Sequence, residues 1–344
     1  MAIGTPSESP AIVVKEVDLS GVVPNVQSTT GAFGGVFRWG PGEEATLVSN
    51  EAELASKFGN PNDDNAQDFL TAAYFLKYSN SLQISRVTDA GAKNAADSAG
   101  AATLILNDPK WEQGTFSTSK IYAKYPGAIG NSLQVVSTGS VGWTGWAAAY
   151  KAQFDGAPAG NESHVLVLDQ DGVITGTAGS VLERYPFVST SSTATKADGS
   201  SNYMKEVINR SSSYIRMSTH IDSGTSTSLV GGDDNLSGVG TDDYLRAFDK
   251  FEDKDTIQLD FLIAPGQASS TPNATIVNDL IGTAVARKDC VVAASPAKDD
   301  VVGQADPVTN SVEDVNGFTF SCLLYTSDAA DEGLGVDLGG RRII

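Results

Sequence analysis

Apolar and polar positions change period several times along this chain, and each change predicts an element. Residues 11–17 (AIVVKEV) are β-prone and stand between a small-and-polar stretch ending at Pro10 and the breakers Gly21 and Pro24. This strand, made of Ala11, Ile12, Val13, Val14, Lys15, Glu16 and Val17, has no hairpin partner nearby. Its backbone groups therefore need the edge of the chain's own sheet or another chain. Alternation predicts a strand over 32–38, Gly40-Pro41-Gly42 a turn, and 46–48 a short strand. Asn50 is placed to cap a helix, with Glu53 in the capping-box position and Gly59 as the stop. A second helix over 66–78 carries Phe69, Leu70, Ala73 and Leu76 at helical spacing, and a strand over 82–87 puts Leu82 and Ile84 on one face.

The composition then shifts. Residues 90–102 (AGAKNAADSAGAA) read as a linker or the entrance to an inserted domain. Beyond them, short strands at 120–124, 132–137, 164–168 and 173–176 predict an all-β region, with Asp169-Gln170-Asp171-Gly172 as the hairpin turn between the last two. A Ser/Thr-rich loop at 189–199 leads to a helix at 204–211 and a strand at 214–217. Thr241, followed by Asp242 and Asp243, reads as a helix N-cap, with Leu245, Phe248 and Phe251 on one face. A strand at 257–264, a helix at 274–287 and a buried strand at 290–294 complete a β-α-β unit, expected to be right-handed and parallel. From Cys322 onward the pattern has no period and no caps; it looks like translated adapter read-through and is set aside as a probable non-native tail at 322–344.

Charge and chemistry narrow the function more than they define it. With 23 Lys+Arg against 42 Asp+Glu, the 344-residue chain carries a net charge of −19, which repels a nucleic-acid backbone. No apolar run approaches the ~18–20 residues needed to span a bilayer, and the start has no secretory pattern. There is no G-x-S-x-G, H-E-x-x-H, Walker or C-x-x-C signature. His164 within an apolar strand, His220 in a polar loop and Cys290 among apolar neighbours read as structural. Asp169-Gln170-Asp171 begins like a calcium loop but fails at Val173, Ile174 and Ser180, and the acidic stretch 231–235 reads as an ordinary Asx-rich turn. No cofactor and no catalytic role are expected.

Three stretches resemble the contractile tail sheath proteins of myovirus-type bacteriophages. They are GAFGGVFRWGP at 31–41 running into LVSNEAEL at 47–54 and Phe58-Gly59; Phe75-Leu76 followed by LQISRV at 82–87; and YPGAIGNSL at 125–133. The resemblance implies a multidomain α+β and α/β fold. Its parts would be an N-terminal inter-subunit arm strand at 1–23, an α/β sheath unit at 24–89, an inserted β-rich, barrel-like protruding domain at 90–188 and an α/β middle domain at 189–321. The C-terminal sheath domain of the family would be missing. It further implies helical self-assembly around a tail tube protein, contact with baseplate and tail terminator proteins, contraction that drives the tube through the host envelope, synthesis in the host bacterial cytoplasm, and a place in the virion without nucleic-acid or membrane anchoring. The sheath of a phage-derived injection machine is the nearest rival, and a calcium-dependent surface adhesin or lattice protein a more distant one.

Overall fold

The computed structural model describes residues 29–318; the arm strand expected at 11–17 and the segment 322–344 lie outside the described residues. The chain begins with β1 (Thr30–Val36), β2 (Ala45–Val48), α1 (Glu51–Phe58), α2 (Ala66–Leu76) and β3 (Ser81–Val87). It continues through α3 (Asp108–Gln113), β4 (Ile121–Ala123), β5 (Leu133–Gly139), α4 (Ala148–Lys151), β6 (Glu162–Asp169), β7 (Ser180–Ser189), α5 (Met204–Ser211), β8 (Ile215–Met217) and β9 (Ser226–Ser228). It ends with α6 (Thr241–Phe248), β10 (Phe261–Ile263), α7 (Ser270–Arg287), β11 (Val291–Ala293), α8 (Lys298–Val301) and α9 (Pro307–Asn316).

The first and last of these groups build one five-stranded sheet in the order β11-β10-β1-β3-β2. β1 pairs parallel with both β3 (Gly31 opposite Leu82) and β10 (Gly31 opposite Phe261), and only β2 runs antiparallel. The anticipated β-α-β unit is therefore present, with β10 and β11 parallel across α7. β1 is covered on both faces, which is why its five inner residues are buried rather than alternating. Phe33 packs with α1 and α2 through Phe58 and Phe69, whereas Ala32 packs with α6 and α7 through Phe248 and Ile276. Small residues make room for these helices: a Cβ on Gly34 would lie 2.8 Å from the Phe248 ring.

Local capping is largely as the sequence predicts. Asn50 Oδ1 accepts from the Glu53 N–H at 2.9 Å, and Gly59, at φ 81°, ends α1. The Glu53 carboxylate reaches one residue further back than a capping box requires, accepting from the Ser49 N–H at 2.9 Å and pairing with Lys57 at 2.8 Å. In α6 the N-cap is Gly240, not Thr241; Asp243 accepts the Gly240 N–H at 2.8 Å, so the acidic first turn caps the helix from inside. In α2 the inner face is Asp68, Phe69, Ala72 and Ala73, and Leu70 is 47% exposed. The sheet contacts a narrower stripe of the helix than the sequence spacing implied.

The middle of the chain departs further from expectation. Residues 90–102 are not a linker: Ala92, Ala95 and Ala96 are buried, and Lys93, Asn94 and Ala96 form bridges to Asp233, Thr103 and Val230. Alanines that look like low complexity are here because the backbones on either side approach closely. Asn94 is fully buried, its amide donating to the Ile105 and Ala123 carbonyls at 3.0 Å and accepting from the Ile105 N–H at 2.7 Å.

No strand forms at 173–176. Asp169 instead accepts from the Ile174 and Thr175 N–H groups at 3.0 and 2.7 Å, and Gly172, Gly176 and Gly179 take positive φ, which winds the segment into turns. Burial alone would raise the Asp169 pKa, but hydrogen bonds from Ser132, Thr175 and Ile174 outweigh it and hold the carboxyl below its ordinary value. The hairpin partner of β6 is instead β7; it carries Pro186 and is a sheet edge, where a missing N–H is tolerated.

β7-β6-β5-β9 form a four-stranded antiparallel sheet and β4-β8 a separate ribbon. β7 and β9 are its two edges and do not pair, so the sheet is open rather than barrel-like, and with α3 and α4 the region at 90–188 is not all-β. Its core also runs past Val188: Met204, Ile208, Ile215, Met217 and Leu229 pack with Val135, Val165 and Val167. Residues that the sequence assigned to a middle domain belong to this core because β8 and β9 return to pair with β4 and β5.

Candidate functional site at the junction of the two cores

Between the α/β sheet and the β-rich region the chain crosses near residues 88–95 and again near 230–236. The three stretches that carry the family resemblance meet there, on one side chain. Arg86 follows Leu82 and Ile84 along β3, in a strand otherwise built for burial, and is itself 2% exposed. Its Nε donates to the Phe37 carbonyl at 2.8 Å, and Nη1 donates to the carbonyls of Gly40 at 3.0 Å and Pro126 at 2.8 Å. Nη2 donates to Asp234 Oδ1 at 3.1 Å. One guanidinium thus holds the 31–41 stretch, the 125–133 stretch and the turn at 231–235 together.

Burial governs the electrostatics of this pair. It pushes the Arg86 guanidinium down to about 10 despite the opposing pull of Asp234. It likewise raises the Asp234 carboxyl, against Arg86 and the Ala128 N–H, which donates to Oδ2 at 3.0 Å. Gly127, at φ 135°, must be glycine because a Cβ would sit 2.8 Å from the Arg38 carbonyl oxygen. Asn131 seals the same crossing, exchanging two hydrogen bonds of 2.8 Å with the Gly232 backbone.

The apolar half of the junction is Trp39. It belongs to the first stretch but packs in the β-rich core, edge-on to Tyr125 at 5.5 Å and tilted against Tyr214 at 6.3 Å. The Trp39 backbone N–H donates to the Phe58 carbonyl at 3.1 Å, which ties the main chain at this point to the end of α1. Beside it lies a cleft of about 340 Å³ walled by Ala55, Gly59, Ile129, Ile174 and Tyr214. A polar clamp and an aromatic side chain from the same stretch, residues 31–41, thus meet the β-rich core at this crossing.

This joint is not evident from the sequence. Residues 231–235 form the expected Asx turn, in which the Asn235 N–H donates to Asp233 Oδ1 at 2.9 Å, but Asp234 in that turn also pairs with Arg86. A lone arginine in the apolar run LQISRV was the available signal, because a buried charge demands partners. The strand Ala11–Val17, the one set of site residues the sequence proposed, lies outside the described residues. His164 is structural: Nδ1 accepts the Phe187 N–H at 3.1 Å, Nε2 bonds the Gly156 carbonyl at 2.8 Å, and burial lowers its pKa. Among the described residues no group of three or more His, Cys, Asp or Glu side chains is placed to hold a metal ion, and no helix is long and apolar enough to cross a membrane.

The fold and junction define a mixed α/β multidomain protein with several sheets, whose most elaborate buried polar cluster joins one part of the chain to another. Several proteins of known name are similar to it in sequence. Over 169 residues, 48% of the chain, it is 38% identical to the tail sheath protein of Salmonella phage ViI, covering 26% of that protein. It is 36% identical over 102 residues to the tail sheath protein of Enterobacteria phage T4, covering 29% of this chain and 16% of that protein. It is 42% identical over 82 residues to that of Vibrio phage KVP40, covering 24% of this chain and 12% of that protein. The chain is thus similar to several phage proteins named tail sheath protein, and each match spans about a quarter or less of the relative's length.

Two solved structures also align. The sheath tail protein of Listeria innocua does so with a TM-score of 0.43 and 17% identity, over 74% of this chain and 44% of that one. The sheath tail protein of Desulfitobacterium hafniense aligns with a TM-score of 0.43 and 12% identity, over 90% of this chain and 62% of that one. No family model matches the chain.

Proposed function

We propose that this chain is part of a structural subunit of a bacteriophage contractile tail sheath, with no catalytic role. The observation that carries the reading is the 38% identity over 169 residues to a phage tail sheath protein. That the named relatives come from phages favours a virion over a phage-derived injection machine. The complete subunit would polymerise helically around the tail tube, contact baseplate and terminator proteins at the ends, and shorten to drive the tube through the host envelope.

The junction suits that task. A subunit that transmits force must move its parts together, and a buried arginine shared among three segments resists hinge motion far better than a surface ion pair. In this reading the α/β unit comprises roughly residues 29–89 and 236–318, and the β-rich unit between them is the protruding part. The segment Ala11–Val17 would add a strand to a neighbouring subunit. The energy of contraction would reside in subunit packing, with no nucleotide step.

Electron microscopy of the complete gene product, expressed with its tube protein, tests the proposal. Striated tubes of two lengths per subunit number, extended and contracted, are the expected result. Monomers or amorphous aggregate alone, under conditions where the tube assembles, would overturn it.

A further inference from the structure

Between β5 and β6 the chain makes an excursion, residues 140–161, that folds back over its own sheet. Trp146, Tyr150 and Phe154 in this excursion pack on Val136, Leu166 and Leu168, the sheet face turned away from the main β-rich core. Near its end the excursion meets one ring. His164 alternates onto the same face of β6 as Leu166 and is fully buried. It stacks on Phe154 with centroids 4.1 Å apart and meets Trp143 and Phe187 edge-on at 5.4 and 4.6 Å.

Both ring nitrogens are committed. Nδ1 accepts the Phe187 N–H at 3.1 Å and so carries no proton; Nε2 therefore keeps its proton and donates to the Gly156 carbonyl at 2.8 Å. The first bond repairs a defect in the sheet. The β6–β7 register slips between the Ser163–Val188 and Val165–Tyr185 pairs, so Pro186 and Phe187 together stand opposite His164. Phe187 sits at φ 53°, a conformation that a bulky residue keeps only when its surroundings hold it.

A second proton on the ring breaks this arrangement. On Nδ1 it would face the Phe187 N–H, setting donor against donor across a bond that is now 3.1 Å. The charge would also find no carboxylate bonded to it. β5 brings no charged residue. On β7, Arg184 donates to the Gln153 carbonyl, and Glu183 is engaged by Tyr185, Ser212 and Ser213. In the excursion Lys151 donates to the Thr144 carbonyl and Asp155 is exposed. Glu162, two residues back on β6, favours the charged ring, but burial outweighs it and holds the His164 pKa below its ordinary 6.5. The contribution of the neutral ring is thus complete above pH 6.5 and is lost as pH falls below it.

We propose that His164 is a proton-operated latch: charging its ring releases Phe187 and loosens the 140–161 excursion from the Leu166 face of the sheet. The latch needs no partner, so it stands apart from the sheath reading.

Ring titration and hydrogen exchange by NMR on the full chain test it, in the unsubstituted protein and in a His164→Asn variant, whose Oδ1 can accept the Phe187 N–H and whose amide never charges. In the unsubstituted protein the Phe187 protection factor should fall at least ~10-fold from about pH 7.5 to about pH 5, with one midpoint shared by the His164 ring and the Trp143 and Trp146 indole signals. The Val167 amide should keep its protection, and the variant should show no such fall. A His164 ring that titrates while Phe187 stays protected would overturn the proposal, as would a ring still neutral when the whole protein unfolds in acid. An equal fall in the variant would overturn it too, by assigning the change to another group. If the variant does not fold, the ring and Phe187 in the unsubstituted protein decide the question alone.

Discussion

The two cores of this molecule are held by different means. In the α/β unit, glycine and alanine in β1 let phenylalanines from both sides approach the sheet, as Gly34 does for Phe248. Its stability comes from close apolar packing, where a single methyl group matters. In the β-rich unit, valines of an open antiparallel sheet pack against α5, and the loops are tied by side-chain acceptors such as Asp169 and Asn94. Between them, the joint centres on the Arg86 guanidinium, with Trp39 and Asn131 beside it. Loss of a core methyl group is felt locally; loss of a shared buried charge strands every partner at once.

The largest expected effect follows from that difference. Arg86→Ala leaves three backbone carbonyls and Asp234 without their donor and should cost about 3–5 kcal/mol in chemical denaturation. The unfolding should split into two transitions, one per core. Arg287→Ala sharpens the contrast. That arginine is also buried and donates to the Phe251 and Ile257 carbonyls at 2.6 and 2.7 Å, but wholly within the α/β unit. Its loss should lower only the transition of that unit.

Next in size is a pH effect confined to the α/β core. Asp68, buried under the end of β1, accepts the Val36 N–H at 2.7 Å, yet burial raises its pKa from 3.8 to about 6. The folded state therefore holds a proton that the unfolded state gives up, and stability from this group is greatest below pH 4 and declines as pH rises to 6. At 1.36 kcal/mol per pH unit the decline amounts to about 3 kcal/mol. Asp68→Asn should flatten the profile between pH 4 and 6 in denaturant titrations, while a slope that persists would show that another group is responsible.

Smaller again is the packing test. Gly34→Ala brings a methyl group against the Phe248 ring and should cost about 1–3 kcal/mol by thermal unfolding, without loosening the joint. The smallest effect is at the surface. Lys57 and then Ser49 hold the exposed Glu53 carboxyl down to about 2, from an ordinary 4.5, so its contribution is present at neutral pH and fades as pH falls below 4.5. Solvent screening limits it to about 0.5 kcal/mol, and Glu53→Gln in high salt should be nearly silent.

The two regions also differ in how far they could be read from sequence. In the α/β unit, period and punctuation suffice: Asn50, Gly59, Leu82 and Ile84 take the roles their spacing implies, and the β-α-β unit around α7 is where its periodicity puts it. The errors there are of degree. β11 was expected to be buried because it is apolar, but sequence does not reveal which strand lies at an edge. In the β-rich unit long-range pairing decides. β8 and β9 return across some ninety residues to β4 and β5, and a carboxylate at 169 captures backbone that local propensity assigns to a strand. The junction was least legible, because Arg86, Trp39 and Asp234 are far apart in sequence and ordinary where they stand. Only the misfit of a charge within an apolar strand pointed to it.

The central claim is that Arg86, Asp234 and Trp39 make one rigid body of the two cores. It is tested most directly by the distance between spin labels on Tyr78→Cys and Val141→Cys, side chains 92% and 97% exposed on opposite units, with Cys290 and Cys322 replaced by serine. The account predicts a single narrow distance distribution that broadens severalfold when Arg86→Ala is added while both cores stay folded. A distribution already broad in the presence of Arg86, or one that stays narrow without it, would contradict the account.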